Sequence, residues 1–437
     1  MLNPDINKTE LNKAGNGMYE LISELYPFCR SITGNGVRQT LDTLQKHIPL
    51  QINEVPAGTK AFDWEVPREW NIKDAFIKNS KGEKIIDFRK SNLHVLNYSI
   101  PVNKKVNLEE LKKHVFTLPD RPDWVPYRTS YYQENWGFCM SHNQLNGLPE
   151  DTYEVFIDSD LTGGSLTYGE FFIKGDIKDE VLLSTHICHP SLCNDNLSGI
   201  ALLTFLSKIL NKQSLKYSYR FLFIPGTIGS IVWLSKNEDT AKRIKHGLVA
   251  TLLGDDSDFT YKKSRTGNAE IDLAAEHYLK STAIPHKTVD FFPYGYDERQ
   301  YCSPGFNLPV GCLTRKQHGE FPEYHTSADN MDFVKPGRLA ESLAVYLEIL
   351  NILEHNATYI NLNPKCEPQL GRRGLYEKIG GTNETQTMQL AALWILNMSD
   401  GKNSLLDIAI KSGIEFRIIK KSADALIECN LLKRYEI

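Results

Sequence analysis

The chain has 437 residues, 41% of them hydrophobic and 24% charged, enough for two or three ordinary soluble domains. A formal net charge of −4 argues against a broadly basic surface of the kind that holds nucleic acid or anionic membranes. No apolar run reaches the length of a membrane span, and the polar start MLNPDINKTELNK lacks the apolar core of a secretory signal, so a cytoplasmic location is expected.

In chain order, GMYELISELYPFC and VRQTLDTLQKHI predict two helices between residues 17 and 48. From about 62 to 130 the pattern changes to short alternating stretches, DAFIKNS, KIIDF and LHVLNYSI, broken by Gly, Pro and Asn; this predicts a small β-rich insertion. A block rich in Trp, Tyr and Asn follows. It is read first as filler between two domains and second as the wall of a sugar- or peptide-binding cleft. From 152 strands and helices alternate. YEVFIDS, GEFFIKGD, EVLLSTH, YSYRFLFIP, GLVATLLG, KTVDFFPY and PVGCLTR are predicted strands. NLSGIALLTFLSKILNK, IGSIVWLSKNE, AEIDLAAEHYLK and 338–353 are predicted helices. This alternation predicts an α/β fold, a mostly parallel sheet flanked by helices, assembled from 1–61 and 131–356 around the insertion 62–130. Three short helical patterns then predict a winged-helix-like module over 380–437. Seven basic against seven acidic residues in 381–437 make duplex DNA an unfavoured partner. Docking on the main domain or on a second copy of the chain is expected instead. The eight cysteines form no CxxC pair and read as reduced, mostly buried thiols.

The chemistry concentrates in LLSTHICHPSLCNDNLSGI. A strand ends in His186, and nine residues on Asp195 stands between two asparagines at a helix start. Imidazole nitrogen and carboxylate oxygen on rigid supports are what Zn²⁺ takes. Downstream, YHTSADNMDFV offers His325 just before the last long helix. His189 is a further ligand or a neighbour in the pocket, since the residue before Pro190 is held extended and leads the chain outward. Asp255, after a strand, reads equally as an extra ligand or as a turn residue.

The strand-end His186, the Asn194–Gly199 run and the His325 segment resemble the aminopeptidase Y-like zinc exopeptidases, above all through Asn194-Asp195-Asn196-Leu197-Ser198-Gly199. The resemblance implies His186, Asp195 and His325 as metal ligands. FCRSITGNGVR, WEVPREWN and WVPYRTSYYQENWGFCMSHN widen it to a bacterial family of aminopeptidase-like proteins often described as associated with polysaccharide biosynthesis. That family implies a zinc-exopeptidase-like domain, a small inserted domain and a winged-helix tail. Two departures stand out. Where the larger group has a Glu-Glu pair, one base and one ligand, this chain has Gly226 and Thr227. Where the group places an Asp that orients the His ligand, it has Cys188. One zinc ion per chain is therefore expected rather than two.

Substitute acids and bases are sought nearby. Glu298 and Glu323 are the candidate proton-transfer residues, with Glu320 behind them; Asp297 and Arg299 are candidate contacts for a substrate amine or carboxylate. The reaction expected is amide hydrolysis on a peptide-like or amino-sugar-linked substrate. The alternative is a metal-binding scaffold, catalytically degenerate, within a polysaccharide-biosynthesis pathway.

Overall fold

Both N-terminal patterns lie in helices, the first of which starts well before the predicted stretch and stops short of its Pro27-Phe28-Cys29 end. In the computed structural model, which describes residues 7–375 and 383–435, α1 runs over Lys8–Leu25 and α2 over Asn35–Gln45. Asn7 caps α1 in a reciprocal box with Glu10, and the stripe Met18, Leu21, Ile22 and Leu25 is buried. The first residues of the polar start, 1–6, and the expected module boundary at 380 lie outside the described residues.

The alternating region builds an eight-stranded sheet. Its strands in chain order are β1 (Gln51–Pro56), β6 (Ser165–Ile173), β7 (Glu180–His186), β8 (Ser218–Ile224), β9 (Ile244–Ala250), β10 (Phe259–Lys262), β11 (His286–Val289) and β12 (Val310–Thr314). The numbers between belong to a second sheet: β2 (Glu69–Lys78), β3 (Lys84–Asp87), β4 (Val102–Asn107) and β5 (Thr152–Thr162). The large sheet has the order β1-β6-β8-β7-β9-β12-β10-β11. Its centre, β8-β7-β9-β12, is parallel, whereas β1, β6 and β10 each run antiparallel to a neighbour. Both β7 and β8 are buried along their whole length, as expected of strands covered on two faces. The covering helices include α3 (Ser198–Leu210), α4 (Ile228–Lys236), α5 (Glu270–Ser281) and α6 (Pro336–His355). All four central strands point their carboxyl ends the same way, which gathers the loops after residues 186, 224, 250 and 314 on one edge.

The four-stranded sheet has the order β3-β2-β5-β4 and is antiparallel throughout. It takes its long strand β5 from beyond residue 130, because Ala75, Ile77, Tyr153, Val155 and Ile157 share one buried cluster. LHVLNYSI, predicted as a strand there, is not one: a 3-10 turn covers Asn92–His94, and Tyr98 has a φ of 73°. Its backbone pairs instead with the loop at 128–130. KTVDFFPY is a strand only as far as Val289, because the following residues turn around Lys262, whose Nζ donates to the Tyr294 carbonyl at 2.8 Å.

The tail folds as α7 (Asn383–Met398), α8 (Leu405–Ser412) and α9 (Phe416–Glu428), with Gly413 in the left-handed conformation (φ 70°) at the turn between the last two. Its small sheet, order β14-β13-β15, joins β13 (Thr358–Asn361), β14 (Asp400–Ser404) and β15 (Leu432–Arg434). The strand β13 precedes residue 380 and follows α6 directly. Leu405, Ile408, Leu426 and Leu431 are buried in a cluster continuous with the core of the main domain.

One buried group sets a pH dependence. His246, in β9, is 4% exposed. Burial, with Lys216 nearby, lowers its pKa from 6.5 to about 4. The unfolded chain therefore takes up a proton that the folded chain refuses. The stabilisation is complete above about pH 6.5 and is lost as pH falls toward 4. Between pH 7.5 and 5 the wild type should lose about 2 kcal/mol more than a His246→Gln variant, measured from urea midpoints. Equal losses would remove His246 from the acid response.

Candidate metal centre at the carboxyl edge of the sheet

The loop after β7 is held by its asparagines. Asn196 Nδ2 donates to Thr185 Oγ1 at 2.7 Å and to the His186 carbonyl at 3.1 Å, tying the loop to β7. On the other side, Asn194 Nδ2 donates to Asp255 Oδ2 at 2.8 Å and its Oδ1 accepts from the Gly254 N–H at 2.8 Å. The backbone N–H groups of Asn194 and Asp195 both donate to the Asp329 carboxyl, at 2.6 and 2.9 Å. Gly199 lets α3 start this close to the sheet: a Cβ there would lie 2.4 Å from the Ala250 carbonyl oxygen and 2.6 Å from Thr185 Oγ1. The Asn-Asp-Asn-Leu-Ser-Gly pattern is thus a set of clamps around one carboxylate.

That carboxylate, Asp195, is fully buried and meets three imidazoles. His186 Nε2 is 2.8 Å from Oδ1 and 3.2 Å from His189 Nδ1, while His189 Nδ1 is 3.4 Å from Oδ1. His325 Nε2 approaches the other oxygen, Oδ2, at 2.9 Å. His186, His189 and Asp195 place their ligand atoms within 4.8 Å of one another. The Asp195–His325 contact lacks hydrogen-bond alignment, so Asp195 Oδ2 and His325 Nε2 remain buried without a hydrogen-bond partner. Atoms this close that do not bond to each other suit a shared central ion. Four ligands around a tetrahedral zinc stand about 3.3 Å apart at its usual bond lengths, close to the spacing seen. Three imidazoles with one carboxylate are also a donor set that zinc accepts. The residues present therefore fit that metal.

Electrostatics and packing support the cluster. Burial pushes the Asp195 carboxyl up, but His189, His186 and His325 outweigh it and hold the pKa well below the usual carboxylate range. Burial lowers the His325 pKa, favouring the neutral imidazole that binds metal. His325 has a φ of 55°, held by the Tyr127 N–H donating to its carbonyl at 2.8 Å. Tyr324 stacks on the His325 ring at 3.9 Å, Tyr296 stacks on His186 at 5.0 Å, and Tyr127 meets His189 and His325 edge-on. The Trp/Tyr block thus contributes Tyr127 to the centre. Tyr131 of the block packs edge-on against Tyr98 and the core, and Trp136 stacks on His114 in the small domain.

None of the remaining sequence candidates belongs to this ligand cluster. Asp255 is spent as a buttress: Oδ2 accepts from Asn194 and Oδ1 from the Ser257 N–H at 2.7 Å. Glu298 is 1% exposed and ion-paired to Lys262 at 2.9 Å. Glu320 is on the surface against Lys287. Glu323 is half-buried, two residues before His325. Arg299 lies over the Tyr294 ring at 5.6 Å. Asp297 is fully buried, so it does not face an incoming amine; burial pushes its carboxyl up to about 7, and its Oδ1 accepts from Ser230 Oγ at 2.8 Å. Sequence reasoning gave no role to Asp329 or the three tyrosines; the signals available were the His-Thr-x-x-Asp spacing from His325 to Asp329 and the adjacency of Tyr324 to His325.

The helix-covered sheet with a buried carboxylate ringed by imidazoles at its carboxyl edge is an α/β fold similar to that of known aminopeptidases. The chain belongs to the family described as a domain of unknown function, DUF4910, whose model matches residues 19–356. A winged helix-turn-helix model matches residues 357–434, which include β13. The chain is 58% identical to a Clostridium acetobutylicum protein, covering 98% of this chain and 99% of that one; the relative carries the provisional description of a polysaccharide biosynthesis protein with an aminopeptidase-like domain. A crystal structure from the same organism, provisionally described as a peptidase, matches with a TM-score of 0.93 at 56% identity over 98% of each chain. A zinc aminopeptidase from Bacillus subtilis shares the fold, with a TM-score of 0.58 at 10% identity over 78% of this chain and 95% of that one.

Proposed function

We propose that the chain is a zinc-dependent hydrolase that cleaves an amide bond in a peptide-like or amino-sugar-linked molecule. The observation that carries this is the convergence of His186, His189 and His325 on the Asp195 carboxylate. His186, Asp195 and His325 would hold one ion, with His189 completing the set or facing the substrate. Gly226 and Thr227 supply no carboxylate for a second ion. Zinc bound there would polarise a carbonyl and lower the pKa of a bound water toward neutrality.

This chain's own groups do the rest. Asp329 fixes the Asp195 loop, and Tyr296 and Tyr324 hold two imidazole rings by stacking. Glu323 is the candidate for moving the proton, because Glu298 is committed to Lys262. Arg299 is the candidate contact for a substrate carboxylate.

The absent carboxylates at 226 and 227 favour a second reading, a metal-binding scaffold of a polysaccharide-biosynthesis pathway. One assay separates the two. Zinc-loaded protein is offered aminoacyl anilides and N-acylated amino sugars, before and after chelation. Turnover that stops on chelation and returns with zinc is expected, and Glu323→Gln should lower it about 10²–10⁴-fold. Zinc binding without turnover on either class favours the scaffold.

Among the described residues no helix is long and apolar enough to cross a membrane. The tail is read as a docking module rather than a reader of DNA. At the start of α9, the helix that would enter a groove, Phe416 is buried and Arg417 is paired with Glu348 of α6.

A further inference from the structure

Two buried polar atoms beside the centre lack partners. His186 turns Nε2 to Asp195 and leaves Nδ1 without a hydrogen bond, although the residue is 2% exposed. Asp297 is 0% exposed; its Oδ1 accepts from Ser230, and its Oδ2 has no partner. Both flank one spot. A Cβ built on Gly226 would lie 3.0 Å from His186 Cβ, 3.6 Å from its Cγ and 3.5 Å from Asp297 Oδ2. A buried imidazole nitrogen and a buried carboxylate oxygen without partners are each costly, and pairing them removes both costs. The two atoms are not hydrogen-bonded to each other as they stand; we propose that, with zinc bound, the Asp297 carboxylate accepts the Nδ1–H of His186 across the space left open at Gly226, and so fixes the tautomer that presents Nε2 to the metal.

The surroundings are built for this. Ser230, which holds Oδ1, lies in the first turn of α4, where the helix end favours an anion. The stacked Tyr296 leaves the ring free to pair only at its edge. Cys188 does not compete, since its Sγ lies 3.7 Å from the Gly226 carbonyl, to which it donates. Metal-bound histidines generally give their second N–H to a carboxylate, carbonyl or water, and losing that partner weakens metal affinity 10–100-fold. Asp297 is thus a positioning residue.

The inference rests on the zinc reading, and chelator competition distinguishes the two. Wild type, Asp297→Asn and Asp297→Ala are compared for zinc Kd. Asn keeps an acceptor oxygen without the charge, so about a tenfold loss is expected for Asn and about a hundredfold for Ala. In zinc-loaded protein, ¹⁵N-histidine spectra should show a hydrogen-bonded, slowly exchanging Nδ1–H on His186 in wild type and a rapidly exchanging one in Asp297→Ala. If Asp297→Ala does not fold, Asp297→Asn decides. Folded variants that bind zinc within twofold of wild type overturn the positioning role alone. A wild type that binds no zinc overturns the proposed function and this inference together.

Discussion

Asp195→Ala should abolish zinc binding, where the wild type is expected to retain about one ion per chain through dialysis. Asp195 is the residue that all three imidazoles approach, and it presents one oxygen to His186 and His189 and the other to His325. Removing it leaves three neutral or mutually repelling rings and no anionic ligand. His186→Ala should also lose the ion, since a tetrahedral site rarely survives the loss of a buried ligand. His189→Ala should cost less if His189 faces the substrate. Elemental analysis after dialysis reads all three. Zinc retained by Asp195→Ala would place the metal elsewhere, and two tightly held ions in the wild type would refute the single-metal expectation.

Lys262→Met should be the most damaging change outside the centre. Lys262 and Glu298 are 3% and 1% exposed, paired at 2.9 Å, with the ammonium 3.9 Å from the centre of the Phe292 ring. Taking away the cation strands a buried carboxylate, which typically costs about 3–5 kcal/mol. The same ammonium donates to the Tyr294 carbonyl, so the loop that carries Tyr296 over His186 loosens as well. Chemical denaturation should show the full loss in Lys262→Met, and a much smaller loss in the double variant Lys262→Met/Glu298→Leu. Equal losses in both would show that the pair is not what the site requires.

Much of the site was legible because it is local. A strand ending at His186 and a helix starting at Ser198 bring His186 and Asp195 together within one stretch of chain, and the clamps are its own asparagines. The Asp255 alternative was not legible, because its role depends on where the Asn194 amide points. Nor was the contact of His189 with Asp195, since a residue before proline is constrained in backbone but not in side-chain direction.

The sequence by itself determined the layered α/β class and the winged-helix tail, because apolar periodicity and breaker residues act over a few turns of chain. It also supplied His186, Asp195 and His325 as neighbours-to-be, through motifs that are short. Only the tertiary structure decided that β5 belongs to the small sheet, that Glu298 is locked to Lys262, and that Tyr127, Tyr296 and Tyr324 wall the imidazoles. Only there do His186, Gly226 and Asp297 meet. Apart from the Tyr324–His325 stack, these contacts join residues tens to more than a hundred positions apart. They are set by how loops from different strands pack at one edge of the sheet, and nothing in local periodicity encodes that.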